Sequence, residues 1–231
     1  MKINLALLSD MLTYRRPAWS KTERKFVTRF IDSVPGMQSD GYGNRVLRIG
    51  NSSTLISCHT DTVHTDGGLQ ETVYNGRTGD ISLRQGKPSK RVSPRHGQRF
   101  NAKKPVYKRN CLGADDCAGM FVALSMIAAR VPALYVFHRA EEVGGHGSDW
   151  VSRYNPGMLV GIQRAIAFDR KGQHDVITHQ MMGRCCSSEF ATELADMLGM
   201  QHAPCPLGTF TDTANYTDDI GECTNVSVGY E

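Results

Sequence analysis

The chain has 231 residues, 40% of them hydrophobic, enough to bury the core of one large α/β domain, with two small domains as the alternative, and too many for a disordered polymer. Its net charge of +4 is local: Arg84 to Arg109 carries ten Lys/Arg and no acid, which leaves 17 basic against 23 acidic residues elsewhere and excludes a uniformly basic chain. No run approaches transmembrane length, and seven cysteines without a CxxC pair argue against a disulfide framework or a zinc ribbon, so the expectation is a soluble, cytoplasmic protein with reduced thiols.

The first stretch, MKINLALLSDMLTYRRPAW, has a short apolar run broken by Asp10 and reads as a helix rather than a signal peptide. SKTERKFVTRFIDSV follows as an amphipathic helix with Ser20 as cap and Glu23 three residues on, a capping-box pattern. RVLRIG and STLISCHTDTV read as strands, the second ending in polar residues. The segment 84–109, rich in Gly, Pro and Ser among its basic residues, reads as an exposed loop inserted in the domain. Steering of an anionic substrate is a further option for it, and no aromatic run or nucleic-acid motif supports a DNA or RNA partner.

CAGMFVALSMIAAR predicts a buried helix, ALYVFHR, AIAFD and DVITHQ predict strands, SSEFATELADMLGM an amphipathic helix, and NVSVGY a last strand. The vicinal Cys185 and Cys186 read as small core residues. Strands alternating with helices in this order predict an α/β fold, a three-layer αβα sandwich around a central mixed, mainly parallel sheet.

Four polar clusters fall at the carboxyl ends of strands or at the mouth of the buried helix: SCHTDTVH, GADD, HRAEEVGGHGS and FDRKG. In an open α/β sheet that edge is where ligand sites form. Together they supply His59, Asp61, Asp115, Asp116, Glu141, Glu142 and Asp169, one imidazole and six carboxylates. Two adjacent acids such as Asp115 and Asp116 repel unless a proton or cation lies between them; Asp116 can cap the helix, and Asp115 is then surplus. Carboxylates mixed with imidazole suit zinc, manganese or cobalt. Taken singly, His59 is a strand-end histidine, Glu141 and Glu142 a solvated turn, and Asp169 a loop cap. Their convergence carries the metal reading. His64, His138 and His146 are expected to support the site or lie at the surface, and Asp212 to face a substrate pocket.

With these residues in place, HTD at 59–61, LGADDCAG at 112–119, AEEVGGHGS at 140–148 and AFDRKG at 167–172 resemble, in order, the motifs of the co-catalytic di-zinc exopeptidases. That superfamily includes the zinc aminopeptidases, tripeptidase T, glutamate carboxypeptidase and acetylornithine deacetylase, and the likeness extends to GTFTDTANYTDD and NVSVGYE. The resemblance implies two Zn2+ ions, with Mn2+ or Co2+ as alternatives. It implies that His59 and Asp169 bind the first, that Asp115 bridges both across a cis peptide to Asp116, and that Glu142 binds the second. Asp61 would orient the His59 ring and Glu141 would be the general base.

Two departures qualify it. The family's last histidine ligand lies beyond a segment like SVGYE, so the expectation is a truncated chain, with His179 or His202 as substitute ligands or a degenerate, non-catalytic binding protein as alternatives. Only 17 residues separate Asp169 from the helix at Ser187, too few for the lid domain of carboxypeptidase and deacetylase relatives. A single catalytic domain over 1–231 and an aminopeptidase-like activity on peptides are therefore expected, with an acylated amino acid as the alternative substrate, no membrane partner and no lid.

Overall fold

The computed structural model describes residues 5–84, 111–181 and 183–230, so the basic insertion expected over 84–109 lies, beyond Arg84, outside the described residues. Eight strands form the central sheet: β1 (Gln38–Ser39), β2 (Arg45–Ile49), β3 (Thr54–His59), β4 (Ala133–His138), β5 (Arg164–Arg170), β6 (Asp175–Ile177), β7 (Ala203–Cys205) and β8 (Glu222–Ser227). Their spatial order is β7-β6-β8-β5-β3-β4-β2-β1. The four central strands β8, β5, β3 and β4 are parallel, β6 and β2 run antiparallel to them on either side, and β7 is parallel to β6.

The helices are α1 (Leu5–Met11), α2 (Lys21–Phe26, continued by a wider π-type turn over Val27–Ile31), α3 (Ala114–Ala128), α4 (His146–Tyr154) and α5 (Ser188–Leu198). Among the described residues none is long and apolar enough to cross a membrane.

Strand β4, ALYVFH, is buried at every position because both faces of the sheet are covered. Its alternation sorts the core in two: Ala133, Tyr135 and Phe137 pack with residues of α1, α2, α3 and α5, whereas Leu134 and Val136 pack with Val151 of α4 and with Leu159. Strand β3 divides the same way, Ile56 and Cys58 to the first face and Leu55 to the second. This is the three-layer αβα sandwich that the strand–helix alternation predicts. Cys185 and Cys186 are buried, one in each half of the core.

Two local expectations change. Ser20 does cap α2, accepting the Glu23 N–H at 3.0 Å, but the Glu23 carboxylate does not turn back to close the box. It is buried, and its Oε1 accepts from Thr60 Oγ1 at 2.8 Å with Arg139 Nε 3.8 Å away. DVITHQ is not one strand: after Ile177 the chain leaves the sheet, and His179–Gln180 pairs with Gly183–Arg184 in a separate two-stranded ribbon. The departure is tied down by the Met181 N–H, which donates to Thr209 O, and by Gly208, which lies so close to His179 O that a Cβ there would be 2.2 Å from it.

Candidate active site

Because β3, β4 and β5 are parallel, their carboxyl ends reach one edge together. His59 ends β3 opposite His138 at the end of β4, and Asp169 is the second-last residue of β5. Helix α3 opens beside them. Its first residues are not helical: Asp115 and Asp116 have φ/ψ of −81°/111° and −103°/41°, and the peptide between them is cis. The two acids separate in role. Asp116 is buried, its Oδ1 accepting the Gly119 N–H at 3.0 Å and its Oδ2 the His59 N–H at 3.1 Å, so it caps the helix and fastens it to β3. The Asp115 side chain is 45% exposed and faces the imidazole.

Gly119 permits this seating. A Cβ there would lie 2.2 Å from Asp116 Oδ1 and 2.5 Å from Phe168 O, the carbonyl just before Asp169. Gly119→Ala is therefore expected to cost at least the roughly 1–3 kcal/mol typical of core overpacking. Denaturant unfolding measures it, and a loss below about 0.5 kcal/mol would show that the helix shifts freely.

The His59 ring is buried, and its Nδ1 donates to the main-chain carbonyl of Asp61 at 3.1 Å, with the Asp61 carboxylate 3.6 Å away. That bond orients Nε2, which lies 3.0 Å from Asp115 Oδ1 and 3.5 Å from Asp169 Oδ1. Asp61 also fastens the opposite wall: its two carboxylate oxygens accept the N–H groups of Glu141 and Glu142 at 3.1 and 3.2 Å. Both glutamates are half-buried, and Ala140 before them holds a left-handed φ of +63°.

Asp169 is held on three sides. Thr211 Oγ1 donates to its Oδ2 at 2.7 Å, its main-chain N–H donates to Asn225 Oδ1 at 2.9 Å, and the Tyr230 hydroxyl donates to its carbonyl at 2.9 Å. These three partners escaped the sequence reading. All three lay inside segments that carry the family likeness, but no spacing singled them out.

Electrostatically the cluster is short of positive charge. Burial pushes the Glu141 carboxyl up to about 9, against the pull of His59 and aided by Asp212, Asp169 and Glu142. Burial likewise takes Glu142 and Asp169 up to about 7. Burial opposes the charged form of His59, yet the charges of Asp169 and Glu141 drive it well above its ordinary value. Burial also works against ionised Asp115, and the His59 hydrogen bond and charge outweigh it. The position of His59 Nε2 between the Asp115 and Asp169 carboxylates marks where a cation is wanted.

The donor set fits one. Ligand atoms of His59, Asp115 and Asp169 all lie within 4.8 Å of one another, and the buried Glu142 Oε1 has no hydrogen-bond partner. Glu142 is not part of that triad, and neither are His179 and His202. His202 donates from Nδ1 to Gly199 O at 2.8 Å, and His179 Nδ1 lies 3.0 Å from Thr178 Oγ1.

The other polar residues are structural in position. Asp212, expected to face a substrate pocket, is buried: Ser148 Oγ donates to its Oδ1 at 2.5 Å, and Oδ2 lies 3.2 Å from His138 Nδ1 without hydrogen-bond geometry. His138 is buried too, donating from Nδ1 to Cys58 O at 3.1 Å and accepting at Nε2 from Tyr216 at 2.6 Å. Asn215 Nδ2 donates to Ser148 Oγ and to Gly145 O, so this network sits under the turn that carries Glu141 and Glu142. Gly145 has φ +64° and lies against Phe210, leaving no space for a side chain. His64 is buried, linked to Thr62 and Cys111 O, whereas His146 is exposed. Arg16, also buried, donates to Thr60 O at 3.0 Å and lies over the Phe26 ring, bracing the His59–Asp61 turn from below.

No family model and no curated protein matches the sequence. Solved structures do match. The Pyrococcus horikoshii TET1 peptidase superposes with a TM-score of 0.58 at 14% identity, over 97% of this chain and 90% of that one. A TET aminopeptidase from a marine sediment archaeon of the Thaumarchaeota gives 0.60 at 12% identity, over 97% and 88%. A tripeptidase from Staphylococcus aureus gives 0.52 at 14% identity over 76% of this chain and 45% of its own longer chain. Over nearly its whole length, the chain has the mixed α/β fold of the TET aminopeptidases.

Proposed function

We propose that the protein is a metal-dependent exopeptidase that removes the N-terminal residue of a peptide. The observation that carries the reading is the meeting of His59 Nε2 with the carboxylates of Asp115 and Asp169, beside a Glu141–Glu142 turn pinned by Asp61. His59, Asp115 and Asp169 would hold one divalent cation, with Asp115 shared toward a second at Glu142; the mixed imidazole and carboxylate donors favour zinc, with manganese or cobalt as alternatives. Bound there, such cations supply Lewis acidity toward the scissile carbonyl and its water nucleophile.

The chain's own residues do the rest. Glu141 takes the proton of the attacking water and returns it to the leaving amine, as a positioned carboxylate does. Asp61 holds the His59 ring and the Glu141–Glu142 backbone at once, so the base and the metal ligands share one anchor. Thr211, Asn225 and Tyr230 fix Asp169. The described residues work in this reading as one catalytic unit without a lid, and seven free thiols suit a reducing cytoplasm.

The TET and tripeptidase neighbours support peptides as substrates. The test is a panel of free dipeptides, N-acetylated dipeptides and N-acyl amino acids, with and without a chelator. Release of the N-terminal residue from free dipeptides, abolished by chelator and restored by zinc, is expected. Preference for N-acyl amino acids would turn the reading to a deacylase, and no turnover of any with metal bound would turn it to a binding protein.

A further inference from the structure

The floor of the site is imidazole and carboxylate, but two exposed apolar residues, Val63 (37% exposed) and Val143 (47%), stand beside it in the chain, and a third, Trp19 (52%), is tied to it through the fold. Val63 comes two residues after Asp61, and Val143 directly follows Glu142. Trp19 is the largest of them and the most constrained. Its φ is +60°, a left-handed conformation that costs a bulky residue about 1–3 kcal/mol and persists only where the surroundings impose it.

The surroundings are those of the site. Trp19 directly precedes Ser20, the cap of α2, whose N–H donates to Pro17 O at 3.1 Å. One turn on, the buried Glu23 reaches Thr60, the residue between His59 and Asp61, and approaches Arg139, two residues before Glu141. The Trp19 segment is thus fastened to both turns that carry the site. On the other side the indole stacks on His146, with ring centroids 6.2 Å apart and planes 28° from parallel. His146 opens α4, and its N–H donates to Ala140 O at 3.1 Å, one residue before Glu141. A strained, half-exposed tryptophan is therefore stacked on a residue whose backbone is hydrogen-bonded to the Glu141 turn.

We infer that the Trp19–His146 stack is the wall against which the side chain of the substrate's terminal residue packs, and that it selects large apolar or aromatic side chains. This rests on the peptidase reading above and adds the substrate class to it. A rigid aromatic face loses little conformational entropy on contact, and burial of an apolar side chain against it contributes in proportion to the area covered. Glycine and alanine cover little of it.

Two measurements on the full, zinc-supplemented chain test this. With Trp150→Phe, Trp19 is the sole tryptophan of the two in the chain, and its emission is followed during titration with L-phenylalaninamide, L-leucinamide, glycinamide and L-lysinamide. A saturable change is expected with the first two at concentrations at least about tenfold lower than with glycinamide. In parallel, the ratio of kcat/KM for Phe-Ala over Gly-Ala is expected to fall by about tenfold or more in Trp19→Ala, within the range a hydrophobic pocket confers. An unchanged emission, an unchanged ratio, or tighter binding of L-lysinamide than L-phenylalaninamide would overturn the inference. The titration needs neither turnover nor an altered Trp19. Selective binding without hydrolysis would leave the wall standing and remove the peptidase reading; hydrolysis with an unchanged ratio would do the reverse.

Discussion

Glu141→Gln is expected to lower kcat by about two to four orders of magnitude while leaving bound metal near the wild-type content, the signature of a lost general base. Glutamine keeps the size of the side chain and the backbone N–H that Asp61 accepts, so the turn is expected to stay in place. What goes is the carboxylate that can hold a proton. Glu142→Gln, one residue on, is expected to behave differently. Glu142 Oε1 is buried without a hydrogen-bond partner, the state of an oxygen that awaits a cation, and its amide is expected to lower metal content together with activity. Steady-state kinetics paired with metal analysis on both variants decides the matter. If Glu141→Gln lost metal and Glu142→Gln kept it, the two roles would have to be exchanged.

His59→Ala is expected to remove zinc binding and, with it, all measurable hydrolysis. The imidazole is the only nitrogen in the triad, and its Nε2 is the atom that Asp115 and Asp169 both approach. Without it two carboxylates face each other across the site. A ligand that binds only the folded state stabilises it by about 2.7 kcal/mol at one hundred times its Kd, so zinc is expected to raise the wild-type Tm markedly and to leave the variant where it was. Thermal unfolding of both proteins with and without zinc measures this. A zinc-dependent rise in His59→Ala equal to that of the wild type would place the metal elsewhere. Circular dichroism of the variant at low temperature separates loss of the ligand from loss of the fold.

The layer order and the sheet edge that carries the polar clusters were legible in local pattern. ALYVFH and STLISCH are short segments bounded by polar or turn residues that read as strands, and each is followed at once by its polar residues. Chain geometry then brings His59 and Asp169 to one edge, because parallel strands end on the same side. Less legible was DVITHQ, whose period suits one strand although its second half pairs with a ribbon of its own. The capping box at Ser20 was half right for a related reason: the sequence allows Glu23 to close it, and a buried hydroxyl at Thr60 offers a better partner.

The sequence by itself determined the alternation of strands and helices and the positions of HTD, GADD, EEVGG and FDR at element ends, because periodicity and turn chemistry act over a few residues. Only the tertiary structure supplied the partners that hold these acids in place. Asp116 is spent on capping α3 and on the His59 N–H, which leaves Asp115 for the cleft. Asp61 turns its carboxylate to the backbone of Glu141 and Glu142, 80 and 81 residues away. Asp212 and His138 are sealed beneath that turn, and Thr211, Asn225 and Tyr230 gather on Asp169. A side chain's partner depends on the register of strands whose contacts lie far apart in the chain, and no local pattern encodes that register.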